Sequence, residues 1–463
     1  MKLVQGIAAI IDIALLAWLV SNEGIGRPGV FLAWCLCTVA AGILVARNWP
    51  FGPLTVLVVA SAMPRATIST LHLHLRPEHI AIALVLVSTL IGSHRRWCYS
   101  NLKWHWFDYA LLMYVATSFL TSATSSPSPT LTLRWATMGA VSITAYFLIR
   151  LLVRDERSLQ QGVNCLLWVG AIESLVGIAC FLSNRVFATQ FGVAAEQYGF
   201  MPGTHGTQYE ANLFGAYAAC CAILFLVIYL RSDIGGRGWY LGGLIVATAA
   251  TLVSLSRAAM LALFAVSGLI LWLTLRRRQL NVRRTIAFAI AVGFLFAVAS
   301  PFILNFVEER FASIDLTELA SDETTQIRLV QIAAACDEIR EHPIWGMGTN
   351  SFQLTFDWQD YVPGGVGADE DASAWIGNTV VRVLHDTGVI GLAFFLAFLA
   401  LLAITTRRAL KSTSGSKHTL IFALCVSLVV YIITFQMTEA SILAFPWIHI
   451  GMLTGAITST GTL

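Results

Sequence analysis

The stretch Trp239–Leu275, WYLGGLIVATAATLVSLSRAAMLALFAVSGLILWLTL, decides how this chain is organised. As a single helix it would run roughly 55 Å at 1.5 Å per residue, nearly twice the thickness of the hydrocarbon layer of a bilayer. It has to turn back once, and its only polar break is SLSRAA, so Arg257 is expected at the membrane surface. Basic clusters bracket the stretch, RSDIGGRG (231–238) before it and RRRQLNVRR (276–284) after it. Short basic loops favour the cytoplasmic face, so the turn that carries Arg257 belongs on the opposite face.

Apolar blocks of this kind recur from end to end, in a chain of 463 residues that is 57% hydrophobic and 12% charged. They lie near 3–20, 30–46, 51–64, 80–92, 108–122, 134–153, 163–182, 210–230, 239–255, 258–275, 285–306, 388–404, 419–436 and 443–459. The expected fold is an all-α, polytopic transmembrane helical bundle of about 12–14 spans. Its expected division is a first part of the bundle over 1–306, a loop or lid domain over 307–384, and C-terminal transmembrane helices over 385–463. The run after Met1-Lys2 lacks a small-residue cleavage site and reads as a retained span. Further basic clusters at SHRRW (93–97), RDER (154–157) and TTRRALKSTSGSK (405–417) fix the parity of the spans, with both termini in the cytoplasm. A net charge of +3 carries no basic stripe with interleaved aromatics, so nucleic acid is not an expected partner. Most of the nine cysteines fall inside apolar segments and read as small core residues. With no zinc-ligand spacing and no Gly-rich phosphate loop, neither a metal nor a nucleotide-hydrolysing module is expected.

The same parity places residues 183–209 and 307–384 on the outer face. The second segment holds fourteen acidic residues against four arginines and no lysine. Within it, DETTQIRLVQIAAACDEIREHPIWGMG predicts an amphipathic helix of about four turns, with Ile327, Val330, Ala334 and Ile339 on its apolar face and a stop at His342-Pro343. Such a helix would lie on the bundle as a lid.

Four places combine charge with membrane proximity, where unpaired charge is costly. His205, Glu210 and Asn212 stand at the start of a span, either as a polar helix cap or as site residues. Arg257 is either a snorkelling arginine or an anion ligand. Arg328 on the lid helix is, by composition, an ordinary i,i+4 partner or a solvated residue. In WIGNTVVRVLHDTGVIG (375–391), Asn378, Arg382 and His385 recur at i, i+4 and i+7, with Asp386 four residues after Arg382. One helical face carries all of them, which suits a cavity lining, and His385 could be a catalytic base or a satisfied structural histidine. Guanidiniums bind phosphate bidentately and stay charged, so outward arginines suit a lipid-linked phosphate or pyrophosphate. A carboxylate or imidazole beside them could take a proton from a sugar hydroxyl, with no metal needed to stabilise the leaving charge.

HGTQYEANLFGAYAA (205–219), SLSRAAMLALF (254–264), IRLVQIAAACDEIREHPIWGMGTNSF (327–352) and NTVVRVLHDTGVIGLAFFL (378–396) together resemble the bacterial O-antigen ligase and O-antigen polymerase superfamily. These are membrane glycosyltransferases of the GT-C type with a large periplasmic loop late in the chain. The resemblance covers the C-terminal two thirds. It implies an inverting, metal-independent transfer from an undecaprenyl-pyrophosphate-linked glycan, without a cofactor, on the periplasmic side of the bacterial inner membrane. It also implies that Arg257 and Arg328 bind the pyrophosphate. The ligase branch has a catalytic His, then Asn, Ser or Gln, nine residues and GxxG. Asn378 and GVIG (388–391) keep that register here, but Gly377 occupies the His position.

The departure favours a polymerase that extends exopolysaccharide, capsule or O-antigen repeats. Glu210 and His385 are then the catalytic candidates, with Asp369 and Glu370 as further ones. His205, Asn212, Asn378, Arg382 and Asp386 are expected to line the substrate cavity. A flippase and a chain-length regulator are the implied pathway partners. The alternatives are a ligase transferring glycan to lipid A core with its base moved to His385 or Glu210, a non-catalytic scaffold, and a small-anion transporter. Transport is ranked lowest because the spans carry few midplane polar residues.

Overall fold

The computed structural model of the chain describes residues 37–46, 48–65, 68–70, 73–91, 103–194, 203–231, 237–276, 323–357 and 374–459. In chain order these form α1 (Cys37–Ala46), α2 (Phe51–Ser61), a hairpin of β1 (Ile68–Thr70) and β2 (Leu73–Leu75), and α3 (Pro77–Ile91). There follow α4 (Trp106–Thr124), α5 (Pro129–Leu152), α6 (Glu156–Phe187), α7 (Ala211–Arg231), α8 (Arg237–Val253) and α9 (Arg257–Arg276). After these come α10 (Glu323–Glu341), the single turn α11 (Phe352–Thr355), α12 (Thr379–Ser412), α13 (Gly415–Thr434) and α14 (Ala444–Thr458). The chain is an all-α polytopic membrane protein: among the described residues six helices are long and apolar enough to cross a membrane, and four shorter apolar ones join them. The expected spans at 3–20 and 285–306, the cluster SHRRW, and RRRQLNVRR beyond Arg276 lie outside the described residues.

Trp239–Leu275 does turn back. α8 stops at Val253, Leu255 takes a positive φ of 56°, and α9 begins at Arg257. The Ser254 hydroxyl bonds back to the Thr251 carbonyl at 2.7 Å, and the Ser256 hydroxyl accepts from the Ala259 N–H at 3.4 Å. Two serines thus satisfy backbone groups that the break would orphan.

α7 is apolar on every side and lies at the centre, as such a helix must if its whole circumference is to meet protein. α6, α8, α9 and α13 pack around it, while α14 lies on α5 and α12 on α4. Leu112, Met113, Leu182, Leu261, Trp272, Leu396 and Ile404 are exposed on outer helices, where lipid tails would meet them. Cys165, Cys180, Cys220 and Cys221 are buried core residues as expected, with Cys37, Cys336 and Cys425 half-buried.

At one end of the bundle, Asp108 at the start of α4 is fully buried and ion-paired with Arg150 of α5. The Tyr146 hydroxyl donates to the same carboxylate oxygen at 2.7 Å. Removing one partner of a buried pair leaves an uncompensated charge, at a cost of about 3–5 kcal/mol. Arg150→Leu is therefore expected to lower the unfolding temperature of the detergent-solubilised protein clearly, and Asp108→Asn added to it should recover part of the loss.

Candidate active site

The site collects at the opposite end, where loops rather than spans bring the polar residues together. The loop 203–210 enters α7 and is tied down from three directions. The Thr207 hydroxyl and Gln208 side-chain amide both donate to the Ala62 carbonyl at 2.8 and 2.9 Å. Thr207 N–H donates to the buried Glu173 carboxylate at 3.0 Å. Thr204 N–H reaches the Val253 carbonyl at 3.2 Å, joining this loop to the turn that carries Arg257.

His205, on this loop, is buried, and the Arg65 guanidinium donates to its ring. Burial and the adjacent Arg65 charge push the imidazole down to about 4, so it is neutral near pH 7. One tautomer satisfies both contacts: Nδ1–H donates to the Gly206 carbonyl at 3.0 Å while Nε2 accepts from Arg65. Glu210 immediately precedes α7 and its carbonyl accepts the Phe214 N–H at 3.1 Å, so its backbone does begin the helix. Its carboxylate accepts a hydrogen bond from the Thr438 hydroxyl. Burial pushes that carboxyl above its ordinary range; the Thr438 hydroxyl and the Arg328 guanidinium draw it part of the way back, and Glu439 opposes them. Asn212 sits half-buried in the first turn of α7, and Arg257 is exposed at the head of α9.

The lid helix is α10, of 19 residues, about five turns. Its buried positions are Gln331, Ala334 and Ala335, with Glu338 half-buried next to them, whereas Ile327, Val330 and Ile339 are only half-buried. The inward face is thus rotated from the expected one toward 328, 331, 335 and 338. Small residues there allow a close approach to α12, and the charged ends of the face, Arg328 and Glu338, turn toward the bundle. This explains how Arg328, an ordinary surface residue by composition, comes within electrostatic reach of Glu210.

α12 begins with Asn378 as its cap: Oδ1 accepts the Val380 and Val381 N–H groups at 3.0 Å each, and Nδ2 donates to the Gln436 side chain at 3.1 Å. Gly377 before it is half-buried, and a Cβ there would meet only the Met437 backbone, at 3.5 Å. The position has room for a side chain, so the glycine is not dictated by packing.

One turn on, Arg382 ion-pairs with Glu439, and its Nε and Nη1 donate to Asp386 and Ser441 at 3.3 Å each. His385 stands between two carboxylates, with Nε2 2.6 Å from Glu338 and Nδ1 3.0 Å from Asp386. The other Asp386 oxygen accepts the Asn350 N–H at 3.0 Å. A carboxylate only accepts, so both imidazole nitrogens of His385 donate and neither has a lone pair left to take a proton. Arg382, His385 and Asp386 form one connected network, and Asn378 joins it only through the turn that also holds Glu439.

α12 is broken at Gly388, whose φ of 62° and ψ of −170° belong to no helix. The break frees the His385 and Asp386 carbonyls, and the HPIWGMG segment uses both. Met347 N–H donates to the first and Gly348 N–H to the second at 2.9 Å each, while Val389 N–H donates to Pro343 at 2.9 Å. The pieces approach so closely that a Cβ on Gly346 would lie 2.6 Å from the Gly388 nitrogen. The two glycine-bearing stretches, far apart in sequence, are a single joint. It ties the HPIWGMG segment after the lid helix to the bundle inside α12.

Several residues here carried no prediction. Glu439, Thr438 and Ser441 lie in the turn between α13 and α14, Arg65 precedes β1, and Arg76 follows β2. Arg76 is buried, pairs with Glu78 at 2.8 Å and donates to the Ile442 carbonyl at 3.1 Å. The available signal was parity: a carboxylate in a nine-residue turn and arginines at positions that span parity would put on the face basic residues usually avoid. Asp369 and Glu370 lie outside the described residues.

No curated protein matches the chain. Residues 242–396, a third of it, match the family described as O-Antigen ligase, a stretch that includes Arg257, Arg328 and the joint at Gly388. That match is consistent with the O-antigen ligase/polymerase superfamily and with a membrane role in polysaccharide assembly.

Proposed function

We propose that the protein is a polymerase that joins undecaprenyl-pyrophosphate-linked oligosaccharide repeats into a surface polysaccharide. It would act at the periplasmic face of the inner membrane, supplied by a flippase and attended by a chain-length regulator. The basic ends of α6, α7, α9 and α12 (Arg154, Arg157, Arg231, Arg276, Arg407, Arg408) then lie in the cytoplasm, and the site opposite them faces outward. The lid is the 307–384 region, held by the joint at Gly388.

The observation that carries this reading is the half-buried Glu210 carboxylate, held by the Thr438 hydroxyl and within electrostatic reach of the Arg328 guanidinium. Glu210 takes the proton of the acceptor hydroxyl as that oxygen attacks the anomeric carbon. The bond from that carbon to the pyrophosphate breaks on the opposite face, and its electron pair leaves with the pyrophosphate. Arg257, at the head of α9, and Arg328, on the lid, hold the pyrophosphate and neutralise the departing charge. His205, neutral and bonded to Arg65, and Asn212 border the acceptor. Arg382, Asp386 and Asn378, occupied by one another and by the 435–441 turn, hold the site's shape. His385, lacking a free lone pair, is a positioning residue that fastens the lid. A ligase would call on an imidazole at position 377, where this chain has glycine.

Arg257→Ala and Arg328→Ala are each expected to lower polymer formation about 10²–10³-fold, the usual loss when one donor to a developing anion is removed. Polymer length in cells and the pool of single-repeat lipid intermediates read this out. Polymer should disappear while single repeats accumulate; an unchanged chain-length distribution would count against both assignments.

A further inference from the structure

The turn between α13 and α14 is held far more tightly than a connection of its length requires. The Phe435 carbonyl accepts both the N–H and the hydroxyl of Thr379, at 3.0 and 2.7 Å. Ser441 N–H donates to Glu439 at 2.6 Å, and the Trp447 indole N–H to the Ser441 carbonyl at 2.7 Å. The Ile442 carbonyl accepts from Arg76 at 3.1 Å and from Ser142 at 2.7 Å. Side chains from α5, α12, α14 and the segment before α3 thus converge on a turn of a few residues. Two of its side chains point at functional groups: Thr438 at Glu210, and Glu439 at Arg382.

We propose that this turn is a positioning platform for proton transfer, in which Thr438 orients the Glu210 carboxylate and Glu439, clamped by Arg382, sets the charge beside it. This rests on the assignment of Glu210 as the proton acceptor. Thr438 donates to one oxygen of Glu210 and leaves the other for the acceptor hydroxyl. The charged groups facing Glu210 are Arg328 from the lid helix and Glu439 from the turn. Arg382 lies behind Glu439 and holds it in place through a pair buried on both sides. The two neighbours in the turn therefore act in opposite senses. A hydrogen-bond donor favours the ionised carboxylate, and a second carboxylate disfavours it.

The test is infrared spectroscopy of the full-length protein in lipid nanodiscs, titrated with pH. The carboxyl band of Glu210 is assigned by its loss in Glu210→Gln. Thr438→Val removes the donor and should raise the midpoint of that band by about 0.5–1 pH unit, the equivalent of one net hydrogen bond. Glu439→Gln removes the neighbouring negative charge and should lower it. Thr438→Ser keeps the hydroxyl and should leave the midpoint in place, separating loss of the donor from general disturbance of the turn. A midpoint unmoved in either of the first two variants, or moved the same way in both, overturns the proposal. So does a wild-type spectrum identical to that of Glu210→Gln. The assignment of Glu210 itself stands on a different readout, glycan transfer by Glu210→Gln, so the two can fail separately.

Discussion

Glu210→Gln is expected to lower glycan transfer by about 10²–10⁴-fold, the range for loss of a positioned general base, while the protein still inserts and folds. Glutamine is nearly isosteric and can still accept the Thr438 hydrogen bond, so the platform that meets Glu210 should persist. What is lost is a group able to take the proton. The pH dependence should follow from the environment of the carboxyl. Burial raises its proton affinity, so the ionised, active form is lost as pH falls through a value above the ordinary glutamate range. Arg328 acts against burial, and a weakly active Arg328→Ala protein should have its acid limb displaced to still higher pH. A transfer rate for Glu210→Gln within a few-fold of wild type would remove this carboxylate from the chemistry.

The second large effect is expected at a residue that touches no substrate. Gly388 has backbone angles that are essentially confined to glycine, and a Cβ there would lie 2.1 Å from the Ile344 carbonyl oxygen. The joint offers no flexible side chain to move aside, because the obstacle is backbone. Gly388→Ala should displace the HPIWGMG segment and break its three backbone hydrogen bonds to α12. The lid helix would then lose this anchor, leaving the Glu338–His385 contact and the Asn350–Asp386 bond to hold Arg328 near Glu210. Transfer should fall at least as far as in Arg328→Ala. Limited proteolysis should cut the 323–357 segment faster than in the wild-type protein, with the transmembrane core still protected. Wild-type activity and wild-type protection in this variant would mean that the joint does not hold the lid.

Much of the architecture was legible because membranes leave the chain few options. A 37-residue apolar stretch with one polar break had to fold back, and the SLSRAA turn is where it does. The face shared by Asn378, Arg382, His385 and Asp386 was legible for a similar reason, since helical spacing alone aligns them. What spacing could not supply was their partners. Glu439 is 57 residues beyond Arg382 and Glu338 is 47 before His385, and only packing brings them together. The inward face of the lid helix was hidden for another reason. It is selected by small residues that allow close approach and by the Glu338–His385 contact near its end, not by an apolar stripe. Gly388 was visible as part of a motif, but its role as a break that frees two carbonyls for a distant loop depends on backbone angles that no motif states.

The most direct measurement uses the purified protein in nanodiscs with one substrate, a polyprenyl-pyrophosphate-linked oligosaccharide repeat. No lipid A core is supplied. A ladder of products at multiples of the repeat is expected, with one polyprenyl pyrophosphate released for each bond formed. No elongation under these conditions, with transfer appearing only when lipid A core is added, would contradict the polymerase assignment and favour a ligase.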